Sequence, residues 1–447
     1  MSSVPSLPRL FVSANHRFLI TADGRPFFWL GDTAWNLFHR TRRDEAESYF
    51  ADRQQKGFNV IQAVALAEQN GLNSPSANGQ RPLHDNDPAR PNEVYFAYVD
   101  DLIDLAAAHN LYIALLPTWG DKVTPNWGDG PLIFTPQSAY AYGKWIGARY
   151  AARSNLIWCL GGDRPLYRGD ADWSLVWRAL AAGIREATGR QGLLTYHPDG
   201  GMTAAACVHA EAWSDVVMIQ SGHWARENPA WEWIESLYNL QPPKPVLDGE
   251  PNYEDHPVAP WPTWNPANGY FRDYEVRKQT YRSVFAGGCG VTYGHHAIWQ
   301  FFGPRYEVIN YADRPWYDAL QRPGAAQMAH LKNLLLSRPY FSRIPDQSLI
   351  LSENDPGAEH LCATRAHDGQ YAFVYFPNPL QTAWIDLEKL SGPAIHAWWY
   401  DPRSAAVQRV GDFTLHPEAF TSPADGPDWV LVLDNARAGF NPPGVVG

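Results

Sequence analysis

Residues 156–184 read LIWCLGGDRPLYRGDADWSLVWRALAAGI, and this stretch sets the expectation for the whole fold. Leu156–Leu160 is continuously apolar, as a strand buried on both faces requires. Gly161-Gly162 ends the run and frees the backbone to turn sharply. Polar residues follow, and then Trp173, Val176, Leu180 and Ile184 recur at helical steps. Soon after this helix the next apolar run begins, at Gly192–Tyr196.

The same unit repeats along the chain. Apolar, β-rich runs stand at Phe27–Leu30, Asn59–Leu66, Leu111–Leu116, Leu156–Leu160, Gly192–Tyr196, Asp215–Gln220, Pro245–Leu247 and Gly290–Tyr293. Helical spacing lies between them, for example Tyr98/Leu102/Leu105 and Tyr142/Ile146/Tyr150. Lys56-Gly57 reads as a helix end just before the second run. Eight strand–helix units with right-handed crossovers predict an α/β fold, a closed (β/α)8 barrel. An open nucleotide-binding sheet is the competing architecture, but GDTAW stands after the first run where GxGxxG would be expected. Arg17–Ile20 and Pro26–Trp29 flank Ala22-Asp23-Gly24, which predicts an N-terminal hairpin under the barrel.

Past Arg338 the pattern changes. Short, partly alternating runs occur at Ser348–Leu351, Leu361–Arg365, Tyr371–Phe376, Ala394–Tyr400, Ala405–Val410 and Trp429–Leu433, with no helical segments between them. They predict a small antiparallel β-sandwich. The division is therefore a barrel with its hairpin over residues 1–338 and a β-domain over 339–447, ending in a loose tail, AGFNPPGVVG.

Composition narrows the function. The chain has 447 residues and a net charge of -11, which argues against a nucleic-acid partner. Cys159, Cys207, Cys289 and Cys362 are scattered and form neither a disulfide framework nor a zinc motif. No signal peptide or membrane span is apparent, so a cytoplasmic protein is expected. Nothing points to a cofactor or to a particular oligomeric state. The unusual feature is aromatic: 20 Trp, 22 Tyr and 19 Phe. Each buried indole needs a partner for its N–H, whereas indole faces also stack on sugar rings.

In a barrel of this type, chemistry sits past the C-terminal strand ends. All eight runs are followed there by polar or aromatic residues. Asp163, after the fourth run, and Glu250, in Leu247-Asp248-Gly249-Glu250-Pro251 after the seventh, face each other across the barrel mouth. Such a pair suits glycoside hydrolysis: one carboxyl protonates the leaving oxygen, and the other attacks the anomeric carbon or activates water. A neighbouring charge and a partly dry pocket would keep the acid protonated. A helix cap and a salt bridge with Arg164 are the structural alternatives for the two groups.

The segments PFFWLGDTAWNLFHR, GFNVIQ, WCLGGDRP and VLDGEPNYE resemble glycoside hydrolase family 140, the apiosidase-like barrels. WWYDPRSA (Trp398–Ala405) resembles the signature of that family's companion β-domain, which is named for collagen binding. The resemblance runs from about Arg17 to Leu433. It implies an exo-acting, retaining hydrolase that releases apiose, a branched pentose, from plant glycans or glycosides. It also implies that Asp163 is the general acid/base and Glu250 the nucleophile. The larger clan usually has Asn-Glu where this chain has Gly162-Asp163.

Substrate contacts are expected from Asp32, Trp35, Gln62, Trp119, His197, Gln220, His223, His295 and Trp299. Asp32 can alternatively cap a helix, and Gln62 can point into the barrel interior. His197 and His223 can donate to sugar hydroxyls or orient the nucleophile. Trp119, Trp224 and Trp299 are sugar-platform candidates, and the Trp261–Trp264 loop (WPTW) is placed to wall the site. His295-His296 read as neighbours on a strand, pointing to opposite faces, so no metal site is expected. The competing functions are a hydrolase of the same mechanism acting on another sugar, a non-catalytic carbohydrate-binding barrel, and a metal-dependent amidohydrolase. The last lacks its usual HxH after the first strand.

Overall fold

The computed structural model describes residues 6–189, 191–258 and 264–447, with backbone only at 206 and 207. Trp261 lies outside the described residues. Eight parallel strands form the central sheet: Trp29–Thr33, Val60–Val64, Tyr112–Leu116, Leu156–Gly161, Leu194–His197, Val217–Gln220, Val246–Asp248 and Gly290–Tyr293. Every residue in them is buried, which explains why the runs are apolar almost throughout. The ladder runs from the fifth strand back to the first, and then through the eighth and seventh to the sixth. At the remaining seam, Asp215 N–H donates to Leu194 O at 2.8 Å and Thr195 Oγ1 donates to Val216 O at 2.8 Å, which curls the sheet into a barrel. A short strand, Met202–Thr203, pairs antiparallel with the end of the sixth.

The expected helices are Glu93–Ala108, Pro136–Tyr150 and Ser174–Thr188, and Leu102/Leu105, Tyr142/Ile146/Tyr150 and Val176/Leu180/Ile184 are buried on them. The first barrel strand starts later than the apolar run suggests. Pro26–Phe27 instead pairs with Leu19–Thr21 in an N-terminal sheet that also contains Leu10–Val12. Tyr112, at the start of the third strand, donates to Pro8 O, which places this sheet at the N-terminal end of the barrel.

The C-terminal region forms a six-stranded antiparallel sheet and a two-stranded layer of Thr382–Ile385 and Glu418–Thr421. The two short strands escape the sequence reading because they bury few residues, Ala383 and Ile385 in one and Phe420 in the other, and Ser348–Leu351, expected as a strand, begins in a 3-10 turn over Gln347–Leu349. Side chains alternate across the large sheet. Ala372, Val374, Phe376, Leu431 and Leu433 pack on the two-stranded layer. Tyr371, Phe373, Tyr375, Val430 and Val432 join the barrel core. There Tyr375 stacks on Tyr281 and Phe373 on Phe285, at 5.2 and 6.0 Å, against the barrel helix Asp273–Phe285.

Polar contacts lock this junction. Arg277 makes a two-pronged pair with Asp428 at 3.0 and 2.8 Å, both side chains buried, and Arg338 pairs the same way with Asp434 at 2.8 and 2.7 Å. The tail is tied down rather than loose: Gly444 N–H donates to Ser337 Oγ at 3.1 Å, and the Arg338 guanidinium lies 4.8 Å from the Phe440 ring. Among the described residues no helix is long and apolar enough to cross a membrane.

Removing one partner of a buried pair strands a charge. Asp428→Ala is therefore expected to cost about 3 kcal/mol in urea unfolding, with Arg277 keeping only Asp273 and Gln327. A chain ended at residue 338 is expected to lose its cooperative thermal transition in near-ultraviolet circular dichroism. A truncated barrel that melts like the full chain would show that the β-domain is not needed for folding.

Candidate active site

The turn after the fourth strand is built for glycine. Gly161 and Gly162 have φ of +85° and +122°. A Cβ at Gly161 would lie 2.1 Å from His197 O, and one at Gly162 would lie 2.8 Å from the Trp119 ring. Asp163 follows at φ +48°, a left-handed conformation that Asp tolerates better than most residues. Its carboxyl is on the wall of a cavity of about 650 Å³ at the barrel mouth. Gln220 Nε2, from the end of the sixth strand, donates to Asp163 Oδ1 at 2.9 Å.

Glu250, two residues past the seventh strand, is on the wall of the same cavity. Its two oxygens face two imidazoles: His223 Nε2 is 3.2 Å from Oε1 and His197 Nε2 is 3.0 Å from Oε2. His223 Nδ1 accepts the Tyr253 N–H, so its proton belongs on Nε2, where it donates to Glu250. His197 Nδ1 faces Pro198 O at 3.1 Å, which calls for a proton there.

The two carboxyls consequently sit in opposite environments. Burial first, and then the charge of Glu250, hold the Asp163 pKa well above the usual carboxylate value, against the pull of Arg164. Burial also pushes Glu250 up, but His197 and His223 outweigh it and bring the group down to about 2. Beneath Glu250, burial raises Asp248 to about 7 while Ser221 hydrogen-bonds it.

Of the other expected contacts, Trp35, Trp119, Gln220, His223 and Trp299 line the cavity, as do Trp224 and Trp264. His197 lies behind Glu250. Three more residues are off the wall. Asp32 turns outward from the first strand, toward Arg53 Nε and the Tyr49 hydroxyl, each at 2.5 Å. Gln62 Nε2 donates to Gly249 O at 2.8 Å inside the barrel, bracing the turn before Glu250. His295 caps the short helix His296–Trp299 and lies 3.2 Å from Asp255, so the two histidines are not on a strand. The eighth strand ends earlier, at Tyr293.

Tyr253, His256 and Trp127 also line the cavity and were not singled out by sequence. Tyr253 OH accepts from Trp35 Nε1 at 3.1 Å, and His256 stacks on His223 at 4.5 Å. The proximity of Tyr253 and His256 to Glu250 in the chain is the available signal; Trp127 has none. Their positions depend on a loop with no periodicity to read.

Replacing His223 with Ala removes one of the two groups that hold Glu250 ionised. The Glu250 pKa is then expected to rise, followed by NMR of a labelled carboxylate. An unchanged titration would mean that His197 alone holds the charge.

Residues 13–342 match the family model described as "Apiosidase-like, catalytic domain". Residues 344–434 match one described as "Putative collagen-binding domain of a collagenase". A solved structure titled as a glycoside hydrolase is 35% identical, with a TM-score of 0.87, over 96% of this chain and 97% of that one. A second, titled as a glycoside hydrolase family 5 from Bacteroides vulgatus ATCC 8482, is 34% identical with the same TM-score, over 96% and 94%. A third structure from the same organism, 15% identical with a TM-score of 0.71 over 97% and 83%, shares the fold. No curated protein sequence matches the chain.

Proposed function

This chain belongs to the apiosidase-like family of glycoside hydrolases, and from that premise we propose that it removes a terminal pentofuranose, apiose, from plant glycosides or glycans with retention of configuration. The observation that carries the mechanism is that two carboxyls share one cavity wall with opposite partners, an imidazole facing each oxygen of Glu250 and a side-chain amide on Asp163. Glu250, held ionised by His197 and His223, attacks the anomeric carbon. Asp163, held protonated, gives its proton to the departing glycosidic oxygen. The bond from the anomeric carbon to that oxygen breaks as the bond to Glu250 forms. Asp163, now a carboxylate, takes a proton from water, which attacks the anomeric carbon and frees Glu250. Gln220, bonded to Asp163 Oδ1, keeps the acid aimed through both steps.

The pH dependence follows from the signs. Glu250 must be ionised, so activity falls as pH drops through its lowered pKa. Asp163 must be protonated, so activity falls as pH rises through its raised pKa. The kcat/KM profile is expected to be a bell whose alkaline limb belongs to Asp163. Weakening Glu250's charge, as in Glu250→Gln, lowers the Asp163 pKa.

The test uses the purified full chain and an apiose glycoside, with the first-formed sugar anomer identified by NMR. Retention is expected. Glu250→Ala should abolish turnover. Asp163→Ala should cost about 10²–10⁴-fold on a poor leaving group and much less on an activated aryl glycoside. First release of the inverted anomer, or parent-rate hydrolysis by Glu250→Ala, would overturn the mechanism.

A further inference from the structure

Gln279 is a polar side chain buried on the barrel helix Asp273–Phe285, and it lies off the cavity wall. Its Nε2 donates to Ser221 Oγ at 2.5 Å, and its Oε1 accepts the Asn252 N–H at 3.1 Å. Ser221 and Asn252 are buried as well. A backbone N–H can only donate, so Asn252 fixes the amide with its oxygen on that side and its nitrogen toward Ser221. Ser221 Oγ accepts there and keeps its own proton for Asp248, whose carboxyl also accepts the Ser221 N–H at 3.4 Å.

These contacts bear on Glu250 from both sides. Ser221 stands two residues before His223, whose Nε2 is 3.2 Å from Glu250 Oε1. Asn252 stands two residues after Glu250 and next to Tyr253, whose N–H donates to His223 Nδ1 at 3.2 Å and so orients the ring. Between them the Gly222 N–H donates to Glu250 O at 2.9 Å. Gln279 thus bridges the two loops that meet at the His223–Glu250 contact, from a helix to which neither loop belongs.

We propose that Gln279 is a positioning residue for the nucleophile. By holding Ser221 and Asn252 at a fixed separation, it sets the hydrogen bond from His223 to Glu250 and, through it, the aim of Glu250 at the anomeric carbon. The first effect is independent of the substrate, and the second rests on the hydrolase reading above. Misplacing a reacting group by about 1 Å can cost on the order of 10²-fold in rate, even when the change lies away from the chemistry.

The test uses the full chain. Gln279→Met keeps a side chain of similar length and removes both hydrogen bonds, and Ser221→Ala removes the nearer one. Leu431→Ala, in the core of the β-domain, is the control for lost stability alone. In protein carrying isotope-labelled histidine, the His223 ring-nitrogen signals, assigned by their loss in His223→Gln, are expected to move in Gln279→Met and in Ser221→Ala and to stay in place in Leu431→Ala. The kcat/KM of Gln279→Met is expected to fall about 10–100-fold, alike on an activated aryl apioside and on one with a poor leaving group, because the aim of the nucleophile serves both. Should Gln279→Met not fold, Ser221→Ala carries both readouts. His223 signals unchanged in a folded variant, or kcat/KM at the parent level, overturn the inference. So do signals that move equally in Leu431→Ala, which would make the effect one of stability. Moved signals in a protein that hydrolyses no apioside leave the His223–Glu250 role of Gln279 standing and count against the proposed sugar.

Discussion

Two carboxyl groups share one partly dry cavity, and a second negative charge there is expensive. The arrangement resolves this asymmetrically. Glu250 has an imidazole at each oxygen, whereas Asp163 has a side-chain amide at one oxygen and a more distant guanidinium, at 3.4 Å, near the other. The first partner set favours charge and the second tolerates neutrality. The asymmetry is geometric in origin. Gly161 and Gly162 let the fourth-strand backbone pass against His197 O and Trp119, where no side chain fits. That passage delivers Asp163 to the wall, and its neighbour His197 is the residue that reaches Glu250.

The C-terminal domain is mechanically joined to this centre. Its large sheet covers the helix Asp273–Phe285, and residues Val276–Phe285 are all buried. From that helix Gln279 Nε2 donates to Ser221 Oγ at 2.5 Å, and its Oε1 accepts the Asn252 N–H at 3.1 Å. Ser221 follows the sixth strand, and Asn252 lies two residues past Glu250. One amide therefore spans the two loops that flank Glu250, from a helix whose far side rests on the β-domain. A domain spent this way on packing has little of its inner sheet face left for a ligand, whatever its family description suggests.

Much of this was legible in the chain. Eight buried strands leave eight apolar runs, and the residues standing after them include Asp163, Glu250, Trp119, Gln220 and His223, all on the cavity wall. What failed did so for a common reason. A residue at a strand end can face inward, outward or along the next turn, and a period-two pattern of apolar residues says nothing about which. Asp32 faces outward because Arg53 and Tyr49, on the following helix, make a better partner set than solvent. His295 turns to cap a helix of only four residues, His296–Trp299, too short for periodicity to announce. Tyr253 and His256 belong to the wall through a loop whose course is set by tertiary contacts, among them the cluster of Arg272, Arg314 and Arg322 around Asp255. No local signal encodes that.

The aromatic surplus also divides along physical lines. Trp177 and Trp399 are buried in the two cores, where packing accounts for them. Trp35, Trp119, Trp127, Trp224, Trp264 and Trp299 share the wall with the carboxyls. There they act on charge as well as on shape, because indole surface excludes water and lowers the local dielectric. A drier wall raises the cost of ionising Asp163, which is what an acid working near neutral pH requires.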